Sequence, residues 1–145
     1  MVGNTLAGAD LRGATLTGLD LSGRDFTGAS LVGANLTNVN LAGTNLTAAI
    51  MTNSVLAGAN LTGADLTNAS LRFSDLTGAN LSSAILVGAI LAGTNMTGAN
   101  LTGANLSGYS ASSQYLRYGG TVYVFNTTCP NGSVSGGGNS CGLTY

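Results

Sequence analysis

The 145-residue sequence has no tryptophan, histidine, lysine or glutamate, a single proline and two cysteines. Five aspartates and four arginines make up 6% of the chain and leave a net charge of −1, where an ordinary domain is about one quarter charged. Each scarcity excludes a class of function. Without a basic field there is nothing to attract nucleic acid, and none is expected as a partner. Without histidine and lysine, the commonest general base and the usual amine nucleophile are missing. Two cysteines with no histidine are too few ligands for a metal site, and no cofactor motif stands out. "SGGGNS" lacks the Gly-Lys-Ser/Thr ending of a phosphate loop. The mean hydropathy is positive, at +0.33. Even so, Asn, Thr, Asp or Gly interrupts every apolar stretch, and no run approaches the roughly 20 residues of a membrane span. The opening "MVGNTLAGAD" has neither a basic n-region nor an apolar h-region, so no signal peptide is expected within this sequence.

What the sequence does have is a period. From residue 6 to residue 106 every fifth residue is large and apolar: Leu throughout, with Phe26, Met51 and Met96 in the same series. Two residues before it is a small residue, most often Ala. One before is usually Asn, Asp, Ser or Thr. Two after is Gly in most units, with Asn at 38, 53 and 68. Period five fits neither regular element. On an α-helix five residues overshoot a full turn by about 140°, so the leucines would spiral over all faces. On a straight strand an odd period sends successive leucines to opposite sides. All of them stay inside only if the chain turns a corner in every unit, and Gly or Asn two after Leu supplies the backbone freedom a corner needs. Four right-angled corners make a coil of about 20 residues, and the series makes about five coils stacked near 4.8 Å apart.

These A-[ND]-L-x-x units, clearest in "GANLTGANLSG" (98–108), resemble those of the pentapeptide-repeat family. The resemblance implies an all-β chain, a right-handed quadrilateral β-helix in which the leucine and the residue two before it point inward. It divides the chain into a repeat solenoid of about five coils over 1–108 and a carboxyl-terminal cap over 109–145. Inward serines and threonines at 54, 74 and 94 are expected to bond backbone carbonyls, because buried polar groups need partners. Leu19, Arg24 and Val39 break the small-residue rule. Arg24 is expected to escape through a local distortion or to pair with Asp20 or Asp25.

Beyond residue 108 the composition changes. All five tyrosines lie there, and "TVYVF" (121–125) alternates like a strand, so 109–125 reads as the cap on the last coil. The amino end has no comparable piece. An exposed coil edge is adhesive, and a homodimer through the amino-terminal coil is one expectation. Cys129 and Cys141 have eleven Gly-, Ser- and Asn-rich residues between them. A disulfide there would close a loop of about 13 residues and add about 3 kcal/mol; two free thiols are the alternative. The string "NTTCPNGSVSGGGNSC" resembles tails that close pentapeptide arrays in exported bacterial proteins. That resemblance implies a bacterial source and export to the periplasm or the cell exterior, where disulfides persist.

The functional expectation is a non-enzymatic structural or protein-interaction solenoid. The five aspartates all fall in the outward polar slot of a unit, not in catalytic pairs. Ile50, Val55, Ile85, Val87 and Ile90 stand in slots that normally carry polar residues, and Ile50, Ile85, Val87 and Ile90 form the candidate partner patch. Two other functions compete with this reading. Ranks of Asn and Thr twenty residues apart suggest an ice-binding face. The family resemblance also brings in gyrase-directed mimicry of DNA, which needs a strongly acidic rod.

Overall fold

A computed structural model of the chain describes residues 5–107. Each corner is built the same way. The N–H of the residue two before the next leucine donates to the preceding leucine's carbonyl, as Ala9 does to Leu6 at 3.0 Å and Ala64 to Leu61 at 3.0 Å. This closes a β-turn whose third residue is left-handed, with φ near +65° in units such as Gly8 and Gly63, the geometry glycine adopts without cost. Asn38, Asn53 and Asn68 take the same conformation, as the sequence pattern predicts. Ala48, Phe73 and Ser83 take it too.

Where Asn or Asp precedes the leucine, it sets the corner's entrance. Its side-chain oxygen accepts the backbone N–H two residues later, as between Asn35 and Thr37 (3.1 Å) and between Asp65 and Thr67 (2.9 Å). This is the Asx turn, in which a short polar side chain imitates a backbone acceptor. Where that second residue is threonine, its hydroxyl often adds a bond to the same oxygen, as in Thr37 and Thr62 (both 2.7 Å). Each slot of the unit thus has a local cause.

Four corners bring the chain back over itself. Parallel bridges join residues twenty apart without interruption, from Thr5↔Asp25 to Ile85↔Asn105. The result is a quadrilateral β-helix with one bridged residue per side per coil. Coil 1 spans 5–24, coil 2 25–44, coil 3 45–64, coil 4 65–84 and coil 5 85–104. Side A carries the bridged residues 5, 25, 45, 65 and 85; side B carries 10, 30, 50, 70 and 90. Side C carries 15, 35, 55, 75 and 95, and side D carries 20, 40, 60, 80 and 100.

Inside, four leucine columns and the small residues beside them form one continuous core running from Phe26 to Ala104. Each buried leucine contributes roughly 1.5–3 kcal/mol. The inward hydroxyls bond carbonyls: Ser54 to Met51 (2.7 Å), Ser74 to Leu71, and Thr94 to Leu71 of the preceding coil (2.8 Å). Among the described residues no buried side-chain nitrogen or oxygen is left without a partner.

Arg24 departs from expectation. The backbone bonds on either side of it are regular, Arg24 N–H to Leu21 and Asn45 N–H to the Arg24 carbonyl, so no distortion releases it. No ion pair joins it to Asp20 or Asp25; among the described residues the ion pair is Arg12–Asp10. Arg24 needs neither device because it belongs to coil 1, where the inward slots are not closed over. It is half-buried there. No helix of the described residues is long and apolar enough to cross a membrane. The tyrosine-rich 109–125 segment, the strand expected at 121–125 and the Cys129/Cys141 pair lie outside the described residues.

Candidate functional site

The rod's outer surface is mostly a closed polar network. On side D the amide of Asn40 donates to Asp20 (2.9 Å), Asn60 to Asn40 (3.0 Å) and Asn100 to Asn80 (3.3 Å), while Asn80 reaches the Thr62 hydroxyl (3.0 Å). On side C the Asn95 amide donates to the Thr77 hydroxyl (2.9 Å), and Thr77 and Thr97 donate to their own Asp75 and Asn95. These ranks stabilise the stack by cross-coil pairing.

The charges are sparse and clustered. Asp10, Arg12, Asp20, Arg24 and Asp25 lie in the first 21 described residues; Asp65, Arg72 and Asp75 lie in coil 4. Asp10 accepts the Arg12 guanidinium at 2.8 and 2.6 Å and the Arg12 N–H at 3.3 Å, which lowers its carboxyl to about 2. Asp20 is lowered by the hydroxyl and N–H of Ser22, with smaller help from Asn40 and the charge of Arg24. Asp25 is lowered by the hydroxyl and N–H of Thr27. All of these carboxylates act as turn caps. Among the described residues no three potential metal ligands come together.

Side B and its flanks are different. Ile50, Ser70 and Ile90 follow one another along side B through consecutive bridges. Val87 stands at the corner between Ile85 on side A and Ile90 on side B, so these three residues of the predicted patch adjoin in coil 5, while Ile50 lies two coils away on side B beyond Ser70. Ile50 is 45% exposed and Ile85 38%; Ile90 and Val87 are half-buried. Val55 opens side C just past the other corner, also 38% exposed.

The structure adds a residue the sequence pattern leaves out. Phe73 occupies the corner between sides B and C of coil 4. It is 48% exposed, more than any other large apolar side chain described. Its φ of 55° is a left-handed conformation that costs a bulky residue strain. The ring lies over Gly93 in coil 5, and the Arg72 guanidinium carbon stands 5.6 Å from the ring centroid, within cation–π range. Phe73, Ser74, Asp75, Gly93, Asn95 and Thr97 line a shallow depression of about 490 Å³. The available signal was column order. The corner series 13, 33, 53, 73, 93 reads Gly, Gly, Asn, Phe, Gly, and an aromatic in a slot reserved for left-handed residues is out of place.

The sequence profile of pentapeptide repeats (8 copies) matches residues 5–43, 40–78 and 74–108. A pentapeptide repeat protein (Rfr23) from the cyanobacterium Cyanothece 51142 is similar in structure at 32% identity and a TM-score of 0.51, over 70% of this chain and 80% of its own. A pentapeptide repeat protein from the Arabidopsis thaliana thylakoid lumen is 34% identical over 69% of this chain and 70% of its own, with a TM-score of 0.45. The full-length plasmid-mediated fluoroquinolone resistance protein QnrB1 is 19% identical over 85% of this chain and 71% of its own, with a TM-score of 0.44. No curated protein matches the chain significantly.

Proposed function

The chain belongs to the pentapeptide-repeat family of right-handed quadrilateral β-helices, and from that premise we propose that it is a non-enzymatic solenoid that holds another protein against side B. One observation carries the reading. Of the five exposed large apolar side chains described, four (Ile50, Val55, Phe73 and Ile85) surround side B, while side D is a polar ladder. Scattered exposed aliphatics need no explanation, but contiguous ones favour a contact surface. A strained exposed aromatic beside an arginine has the composition of an interface anchor. The backbone groups of side B are spent along the rod axis, so the partner is held by side chains and not by strand addition.

The competing functions find less support. The hydroxyls of Thr77 and Thr97 on side C are donated to the side-chain oxygens of Asp75 and Asn95 beside them, which leaves them poorly prepared to order water as an ice-binding plane. Gyrase-directed mimicry of DNA needs a row of uncompensated carboxylates, whereas Asp10 is paired with Arg12 and Arg24 stands by Asp20.

A photo-crosslinking residue placed at Ser70 on side B, and separately at Asn60 on side D, tests the proposal in extract of the source cells. The expected result is one crosslinked protein from position 70 and not from position 60, lost in the Phe73→Asn/Ile90→Asn variant. Equal labelling from both sides, or labelling that survives those substitutions, overturns it.

A further inference from the structure

The depression of about 490 Å³ beside Phe73 holds hydrogen-bonding capacity that the fold does not use. Phe73 borders it with a ring that is 48% exposed, and Gly93 adds no side chain to it. Its polar groups come from Asp75 and Asn95, bridged neighbours on side C, and from Thr97. Asp75 Oδ1 accepts both the N–H (3.0 Å) and the hydroxyl of Thr77, and no described residue bonds Oδ2. Asn95 Oδ1 accepts the N–H (3.1 Å) and the hydroxyl (2.7 Å) of Thr97. That backbone donor fixes which end of the amide is oxygen. The Asn95 nitrogen gives one hydrogen to the Thr77 hydroxyl (2.9 Å), and no described residue takes the other. The Thr97 hydroxyl has spent its hydrogen on Asn95 and keeps a lone pair.

Charge narrows what could use these groups. The Asp75 carboxylate turns away an anion. The Arg72 guanidinium, 5.6 Å from the ring centroid, already holds the kind of place that a cationic ligand would take against the ring. What fits is neutral, with one apolar face and with a donor and an acceptor side by side. A pyranose ring has all three. Its C–H face packs on an aromatic, one hydroxyl donates to Asp75, and the adjacent hydroxyl accepts from Asn95. One coil spacing sets the two protein groups about 4.8 Å apart, a span that a vicinal pair of hydroxyls bridges.

We propose that this depression binds a neutral saccharide, with Phe73 as the platform and with Asp75 and Asn95 reading two adjacent hydroxyls. A single carboxylate lines it, whereas glycoside hydrolysis uses a pair, so the role is recognition and not cleavage. The site goes beyond the protein contact on side B. It shares Phe73 with that surface and uses none of Ile50, Ile85, Val87 and Ile90.

The test titrates the isotope-labelled full chain with cellotetraose, maltotetraose, mannotetraose and chitotetraose, each to tens of millimolar, and follows the backbone amides by NMR. Tetramethylammonium chloride and inorganic phosphate serve as charged controls. At least one oligosaccharide is expected to shift the amides of 73–75 and 93–97 saturably, and neither salt should do so. Asp75→Asn keeps the oxygen that caps the turn and replaces the unspent one, so it should weaken binding at least tenfold with unchanged thermal unfolding. Phe73→Asn should abolish binding. Ile90→Asn should leave it unchanged, so this site and the side B contact fail separately. The proposal is overturned if none of the four sugars gives a saturable shift, if binding ignores Asp75→Asn, or if either salt shifts these amides more than the sugars do.

Discussion

The ring of Phe73 covers Gly93 where a β-carbon at residue 93 would have to stand. The two corners are one coil apart and both left-handed, φ 55° and 73°. Glycine at 93 is therefore required twice, by its own backbone and by its neighbour's ring. Replacing Phe73 by Asn, the residue that fills this slot at 38, 53 and 68, should stabilise the fold by about 1 kcal/mol through relief of strain. Gly93→Ala should destabilise it by about 2 kcal/mol, and by less when Phe73 is also Gly. Thermal unfolding of the three variants checks this. A loss of stability in Phe73→Asn would mean that the ring's packing outweighs its strain, and the case for a functional aromatic would weaken.

Position along the rod should set the cost of truncating a core leucine. Leu61 is fully buried in coil 3, and Leu61→Ala is expected to cost about 2–5 kcal/mol. Leu11 fills an inward slot of coil 1 but is half-buried; in the monomer Leu11→Ala should cost less than half as much. Urea titrations at a concentration where the chain is monomeric give the comparison. Equal costs would contradict this difference in burial.

Acid should act on one end. Asp10, Asp20 and Asp25 all have carboxyls held below the ordinary 3.8, Asp10 at about 2. A group whose folded pKa is depressed stabilises the fold fully above its unfolded pKa and loses that contribution as pH falls through the folded one. Stability is therefore expected to be level from pH 8 to 5, since the chain has no histidine, and to decline below about pH 4 toward pH 2. Amide exchange as a function of pH should show coil 1 opening before coil 3. A decline centred above pH 5 would contradict this.

The two cysteines can be assigned directly. Intact mass of the native protein, alkylated before and after reduction, should show no reactive thiol until reduction if Cys129 and Cys141 are paired. Two thiols that react at once would remove the basis for export and would direct the search for the proposed side B partner to the cytoplasm.

The leucine period determines the coil length, the four inward columns and the positions of Ile50, Ile85, Val87 and Ile90, because twenty residues per coil turn sequence spacing directly into place. It also marks Asn38, Asn53 and Asn68 as corner residues. It does not reveal that Ala48, Phe73 and Ser83 are forced into the same conformation, since the corner is imposed by its neighbours' hydrogen bonds and not by the residue's own preference. The status of Arg24 is equally hidden. A repeat pattern treats all units alike, whereas burial depends on whether another coil lies above. The proposed side B site was half legible: its aliphatic members stand out against a polar slot, and its aromatic member required attention to a glycine slot.

Every bond between coils runs along the rod, while the chain itself runs around it. Pulled by its ends, such a rod would not share the load over its length. It would surrender coils singly from an end, each loaded through only a few bonds. A released coil pays out 20 residues, about 70 Å of extended chain, in place of the roughly 4.8 Å it had occupied. The force–extension trace should be a series of even teeth at that spacing, the behaviour of a spool and not of a strut.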